Sequence, residues 1–196
     1  VDPIGLTRRK GQSRGDGPSS LSGYVNDRPY AASSMLSVAL TKLFGTAMSG
    51  TCDSRPDLAA SKLPFEVQIP VLRCRGGRDL LNGLFEPLGY EVTAAEAPLD
   101  DRFPEWGPSP YLSVTLAGEV RLADLLSHLY VLMPVLDDHK HYWVDDDEAQ
   151  KLLDKGGAWL AGHPSNELIT NRYLKRQRSL TEGVLAQLND EDPVAA

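Results

Sequence analysis

The sequence predicts an α+β fold, in which a small mixed or antiparallel sheet packs with helices and a helical extension ends the chain. Apolar residues alternate at period two in short stretches, as in strands with one buried face, and recur elsewhere at the three- and four-residue spacing of amphipathic helices. The composition, 41% apolar and 24% charged over 196 residues, is sufficient for one domain with a hydrophobic core.

A Gly- and Ser-rich leader precedes the first predicted helix. Its small and polar residues bury little surface, so we expect it to be flexible. Ser33 and Ser34 are of helix-capping type and precede an apolar stripe, which Gly45 and Gly50 are predicted to end. The predicted organisation is a leader, an α+β core, and C-terminal helices with a short tail, over residues 1–23, 24–164 and 165–196.

A strand, a helix and a second strand follow in the core. Residues 65–71 alternate as a strand does, and Pro70 within them places that strand at a sheet edge or a bulge. A Gly-Gly turn at 76–77 leads into the apolar stripe of a helix at 80–88. Residues 90–93 form the next predicted strand.

Helices dominate the rest of the chain. We expect Pro134 to terminate the first of them, and the capping-box spacing from Ser179 to Glu182 to start the last one after a break near Arg178. The predicted elements are a strand at 111–116, helices at 122–133 and 148–153, the second stopped by Gly156-Gly157, and a helical stretch at 166–188.

Charge and composition exclude some functions. The formal net charge of -7 argues against a protein that grips nucleic acid through a broad basic surface, so a protein partner or a small ligand is favoured. The longest apolar run is too short and too interrupted to cross a membrane. Cys52 and Cys74 have no paired framework around them, which predicts reduced thiols and a cytoplasmic location.

Sequence motifs of several enzyme classes are missing. Gly45 and Gly50 have the spacing of a phosphate-binding loop, but Thr51 stands where such a loop needs its lysine. No Gly-x-Gly-x-x-Gly follows a strand, and no Lys-x-Asp-Gly nucleophile of nucleotidyl-transferring ligases is present. The missing loops argue against a nucleotide cofactor in this chain, and an enzyme without any of these motifs would be an unusual one.

A short cluster of carboxylates and imidazoles follows Pro134. Asp137, Asp138, His139 and His141 are residue types that bind divalent ions, which suggests a metal-dependent hydrolase. The alternative is a turn whose aspartates cap local amides, and we favour it because a distant third ligand is lacking. Stabilisation of the fold by metal would indicate the hydrolase.

The turn from Cys74 to Asp79 lies between a strand and a helix. Backbone amides at a helix start can hold an anion, and Arg75 and Arg78 would strengthen such a site. The alternative is that the glycines only reverse the chain.

Two stretches carry strong charge of opposite sign. The C-terminal helix is locally basic at Arg172, Lys175, Arg176 and Arg178, which indicates RNA contact, an acidic partner or a solvated face. A salt-sensitive RNA affinity would indicate the first. Residues 86–105 carry six acidic side chains against Arg102 alone, a polarity that can steer a docking partner.

Five stretches, in chain order, resemble the N-terminal region of the bacterial 3'-terminal RNA ribose 2'-O-methyltransferase. They are Tyr24–Ser34, Phe44–Gly50, Leu84–Tyr90, Phe103–Gly107 and Leu136–Val144. The resemblance implies an upstream segment that contributes strands, so we expect the chain to be a piece of a longer protein. Within these motifs we predict an exposed contact surface, the alternative being that they are packing signatures; its residues are Tyr24, Arg28, His141 and Trp143.

The resemblance also implies a division of labour. In that family, S-adenosylmethionine and a divalent metal belong to a separate methyltransferase domain, and the N-terminal region binds and activates the ligase domain of a polynucleotide kinase-phosphatase-ligase. The expected function is therefore a non-catalytic, cytoplasmic module of RNA repair that works in a hetero-oligomer and meets RNA mainly through the complex. The open alternatives are the metal-dependent hydrolase and a direct RNA-binding module.

Overall fold

The fold combines one small sheet with helices that cover one of its faces. The computed structural model describes residues 30–138, 146–174 and 178–191. Its elements in these ranges are α1 (Tyr30–Met48), α2 (Pro56–Ala60), β1 (Leu63–Arg73), α3 (Gly77–Phe85), β2 (Glu91–Pro98), β3 (Pro108–Val120), α4 (Leu122–Asp137), α5 (Asp146–Ala161), α6 (Asn166–Tyr173) and α7 (Arg178–Glu191), with 3-10 turns at Glu86–Leu88 and Pro104–Trp106.

The sheet is antiparallel and has the order β1-β3-β2. The central strand β3 pairs with both neighbours, and Leu116 lies between Val67 of β1 and Val92 of β2. These apolar side chains alternate with exposed residues along each strand, so one face of the sheet packs on the helices and the other faces solvent. The α+β prediction is confirmed, in its antiparallel form.

Pro70 lies on an edge strand beside a register shift, as predicted. β1 is an edge strand, and its pairing with β3 shifts between Ile69 and Leu72. A proline cannot donate to a strand ladder, so it is tolerated at such an irregular edge position.

Pro134 does not terminate its helix, contrary to the prediction. α4 continues for three more residues, to Asp137. The next residue, Asp138, caps the helix in a left-handed conformation with φ 47° and donates its amide to the Pro134 carbonyl at 3.1 Å. Val135 and Leu136 are fully buried after the proline. Core packing therefore holds the last turn although the proline removes one helical hydrogen bond.

Two predicted glycine stops act as kinks. α1 passes through Gly45 with a non-helical Phe44, and α5 passes through Gly156 with Gly157 at φ 41°. Leu160, beyond the second kink, is fully buried, which explains why the chain resumes its helix there. The predicted helix boundary near Arg178 is confirmed by the start of α7.

The helices of the C-terminal third share one hydrophobic core with the sheet. Ile169, Tyr173 and Leu188 are buried in the same cluster as Leu116 of β3 and Leu132 of α4. Across the described ranges, no helix is long and apolar enough to span a bilayer. Both cysteines are free thiols, as predicted.

The sheet and the turn before β2 lie close together at Gly118. A Cβ atom built there would lie 2.9 Å from the Gly89 carbonyl oxygen and 3.0 Å from a ring carbon of Tyr90. We expect Gly118→Ala to lower the free energy of unfolding by about 1–3 kcal/mol, because backbone cannot move aside as a flexible side chain does. Urea denaturation measures this, with Gly83→Ala as the control, since a Cβ at Gly83 meets nothing within 4 Å.

Candidate partner-binding surface

Most predicted contact residues lie outside the described ranges. These are Tyr24, Arg28, His141, Trp143, Lys175 and Arg176. Arg178 is the first residue of α7, and Arg172 lies near the end of α6. For the residues outside the ranges, a role in partner or RNA contact stays a prediction.

Arg172 joins three parts of the fold. Its Nη1 donates to the carbonyl of Arg75 at 2.8 Å and to that of Val135 at 3.2 Å, and its Nε lies 3.9 Å from a carboxylate oxygen of Asp138. The Arg75 amide in turn donates to the Leu136 carbonyl at 2.9 Å. We call this group, from the Arg75 turn, the end of α4 and α6, the arginine junction. Within the arginine junction the Arg172 side chain is mostly buried, with 18% of it exposed.

The carboxylates of the predicted metal cluster have other surroundings. Asp137 is buried, and Asp138 ends α4 and faces Arg172. Among the described residues no group of three or more His, Cys, Asp or Glu side chains could hold a metal ion. His139 and His141 lie outside those ranges, so the hydrolase hypothesis remains untested.

The turn after β1 reverses the chain and attaches it to α4. Gly76 and Gly77 have φ of 137° and 70°, and a Cβ at Gly76 would lie 2.6 Å from a methyl carbon of Leu80. Arg78 points to Glu96, with 3.6 Å between its Nε and a carboxylate oxygen. This geometry favours chain reversal over the anion site. Burial raises the pKa of the Cys74 thiol, although the Arg172 charge opposes the shift.

The loop between β2 and β3 exposes three large apolar side chains. Leu99, Phe103 and Trp106 are 53%, 38% and 57% exposed, and none belongs to the hydrophobic core. The rings of Phe103 and Trp106 stack, with centroids 4.6 Å apart and planes 12° apart. The Arg102 guanidinium lies 5.8 Å from the centroid of the Phe103 ring. We call residues 99–107 the aromatic loop.

Short-range hydrogen bonds fix the aromatic loop. The Leu99 amide donates to the Gly107 carbonyl at 2.9 Å and so closes its base. The Arg102 amide donates to the Asp100 carboxylate at 2.8 Å, and the Trp106 amide donates to the Phe103 carbonyl at 3.0 Å. The exposed rings therefore stand on a backbone that is ordered without a partner.

A cleft of about 490 Å³ lies between the end of α1, the start of α4 and the kink in α5. Its charged lining residues are of both signs, and Ser127 on its wall donates a hydrogen bond to the Lys155 carbonyl. They are Lys62, Arg121, Asp124, Asp154 and Lys155. Because opposite charges face the same space, the lining indicates no single class of ligand.

Two histidines, His128 and His163, are buried, and His128 lines this cleft. His128 Nδ1 is 2.8 Å from the Tyr90 hydroxyl, and its ring edge packs on Trp159. His163 Nδ1 accepts the Ser165 amide at 2.9 Å, so its Nε2 carries the proton that is donated to the Leu84 carbonyl at 3.1 Å. His128 thus connects α4 to the residue before β2, and His163 connects the turn after α5 to α3.

Burial keeps these groups uncharged. It lowers the pKa of His128 to about 4, with a smaller contribution from His163, and it also lowers the pKa of His163, which the bond to Leu84 opposes. Burial and the Asp124 carboxylate raise the pKa of the Tyr90 hydroxyl. The trio is neutral at pH 7, and its polar atoms serve the fold.

The sequence patterns did not single out the aromatic loop as a site. Its apolar residues follow neither the strand nor the helix period, and Phe103–Gly107 entered only as a motif of the resemblance. The sequence did contain a signal for this site. Two aromatic residues lie in a stretch rich in Asp and Glu, and a loop that only faces solvent has no need of aromatic side chains.

One comparison with known proteins agrees with the resemblance. A family model described as the RNA repair, ligase-Pnkp-associating, region of Hen1 matches residues 1–189. A comparison with curated proteins finds no match. The family model covers nearly the whole chain, and the chain therefore belongs to the family of RNA-repair, ligase-Pnkp-associating regions of Hen1.

Proposed function

We propose that this chain binds the ligase domain of Pnkp and activates its adenylylation, without catalysis of its own. The observation that carries the proposal is the family match over residues 1–189, whose description names association with the ligase Pnkp. In this proposal the complex is a cytoplasmic hetero-oligomer that meets RNA mainly through the ligase. S-adenosylmethionine and a divalent metal belong to a separate methyltransferase domain of the parent protein.

Activation by binding has a definite physical requirement. The chain must bind the adenylylation-competent conformation of the ligase more tightly than the idle one, since equal affinity for both shifts nothing. A tenfold rise in the competent population, where that population is small, needs about 1.4 kcal/mol of differential affinity. A rigid surface that fits one conformation supplies such a difference.

The described chemistry supports a binding role. His128 and His163 are buried and use ring nitrogens on Tyr90, Leu84 and Ser165, so these described imidazoles serve the core. The aromatic loop, by contrast, presents apolar surface to solvent.

The test mixes the chain with the purified ligase domain of Pnkp and follows co-elution and transfer of AMP from ATP to the ligase lysine. We expect a complex and a rise in adenylylation of tenfold or more, which corresponds to the differential affinity of about 1.4 kcal/mol given above. Heat-unfolded chain is the control. Co-elution without a rise would make the chain a tether only, and a folded chain that does neither would refute the proposal.

A further inference from the structure

We infer that the aromatic loop is the anchor through which this chain docks on the ligase, with Trp106 entering an apolar pocket whose rim carries Lys and Arg side chains. The inference rests on the proposed function and names the surface that performs it. The aromatic loop comprises residues 99–107, and its contact side chains are Leu99, Phe103 and Trp106.

The exposure of Trp106 is the first argument. Trp and Tyr dominate the energetic centres of protein interfaces, because a flat ring buries a large apolar area at little cost in side-chain entropy. Trp106 is 57% exposed and stacks on Phe103, which is itself exposed. The pair therefore presents apolar surface that the described fold does not use in its core.

Preorganisation is the second argument. The Leu99 to Gly107 hydrogen bond closes the loop, and the Pro104–Trp106 turn is held by the Trp106 amide on the Phe103 carbonyl. The Arg102 guanidinium lies over the Phe103 ring, 5.8 Å from its centroid, where a cation–π contact favours this ring position. A loop ordered before binding loses less conformational entropy on docking, so more of the contact energy becomes affinity.

Charge decides the class of partner. The aromatic loop contains three acidic residues, Asp100, Asp101 and Glu105, against Arg102 alone, and the whole chain has a formal net charge of -7. Stacked aromatic side chains also suit RNA bases, but a binding surface for RNA needs cations to neutralise phosphates. A ligase that handles RNA and ATP must carry Lys and Arg near its sites, and the acidic loop complements such a surface.

The test measures the affinity of the full chain for the ligase domain of Pnkp by titration calorimetry. We expect Trp106→Ala to weaken the complex by roughly 30-fold, as for an interface hot spot. The wild type and Trp106→Ala should unfold at nearly the same temperature, because the Trp106 side chain lies outside the core. Phe103→Ala should weaken binding in the same direction, since it removes the stacking partner.

Leu58→Ala is the matched control. Leu58 is 45% exposed and lies in α2, next to the start of β1, where Leu63 pairs with Val120. Val120 is the last residue of β3, and the aromatic loop adjoins Pro108, the first residue of β3. The thirteen residues of this strand span about 40 Å. Loss of an exposed Leu so far from the loop should change the affinity by less than about twofold.

Charge reversal and salt give a second measurement. We expect Asp101→Lys to slow association with the ligase, and added salt to slow the wild type more than this variant.

The outcomes separate the inference from the proposed function. If the wild type binds the ligase and Trp106→Ala binds it equally well, the inference is overturned and the proposed function is left intact. Trp106-dependent binding of RNA alone, or a wild-type dimer that Trp106→Ala dissolves, would assign the loop to another occupant. No binding of the wild type would refute the proposed function itself.

Discussion

Acidification from pH 7 to pH 4 is expected to lower the free energy of unfolding by about 3 kcal/mol through His128 alone. Burial lowers the pKa of this imidazole from 6.5 to about 4, and a pKa unit corresponds to about 1.4 kcal/mol. Above pH 6.5 the imidazole is neutral in both states and stability is unaffected. Between 6.5 and 4 only the unfolded chain takes the proton, so stability falls, and below 4 the loss is complete.

The surroundings of His128 explain why protonation is unfavourable. The side chain is 4% exposed, its Nδ1 is bonded to the Tyr90 hydroxyl, and the Trp159 ring covers one edge. A proton on the nearby His163 would add repulsion, and the pKa of His163 is lowered as well, so it contributes with the same sign. Asp124 is the nearby carboxylate that acts on Tyr90.

Urea denaturation at intervals from pH 7 to pH 4 measures the effect. The matched variant is Tyr90→Phe with His128→Phe, which keeps two ring-sized groups and removes the titrating group together with its hydroxyl partner. We expect the variant to lose most of the pH dependence. An acid loss of equal size in the variant would assign the effect to carboxylates.

The fold was predictable where local rules decide it. The alternation of apolar residues identified the strands. Pro70 lies on an edge strand at a register shift, because a residue without an amide hydrogen would break a regular ladder of strand hydrogen bonds. The prediction that Pro134 ends its helix was wrong, because it considered only the local effect of proline on a helix. α4 lies in the core, and burial of Val135 and Leu136 stabilises its last turn.

The site was less predictable because its contacts join distant residues. Tyr90 and His128 are 38 residues apart, and Arg172 and Arg75 are 97 apart, so no local pattern links them. The aromatic loop depends on a backbone closure between Leu99 and Gly107 that no periodicity shows. The sequence showed in advance the acidic stretch before β3 and, within it, Phe103–Gly107 as a motif of the resemblance.

Replacement of Arg172 by Met is expected to lower the free energy of unfolding by about 2–3 kcal/mol. The guanidinium donates to the carbonyls of Arg75 and Val135 and faces the Asp138 carboxylate at 3.9 Å, and its side chain is 18% exposed. Hydrogen bonds from charged groups contribute about 1.5–3 kcal/mol, and their loss leaves the part-buried Val135 carbonyl and the more exposed Arg75 carbonyl without this donor. Met retains most of the aliphatic stem, so the polar loss dominates.

Two further variants separate geometry from charge. Arg172→Lys keeps the positive charge near Asp138, but a single ammonium group cannot place one donor on the two carbonyls and another beside the carboxylate as Nη1 and Nε do, so we expect an intermediate loss. Arg78→Met is the control, since Arg78 is 50% exposed and lies 3.6 Å from Glu96 in a surface pair, which contributes about 0–1 kcal/mol. Equal stability of Arg172→Met and the wild type would contradict the structural role of the arginine junction.

The same variant also tests the prediction that Arg172 contacts RNA. If the arginine junction accounts for this side chain, Arg172→Met destabilises the fold, whereas any RNA affinity, measured well below the unfolding temperature, stays within about twofold. A direct phosphate contact would instead lower the RNA affinity at unchanged stability and reduce the slope of log affinity against log salt by roughly one. Because the guanidinium already faces two carbonyls and one carboxylate, we expect the first result.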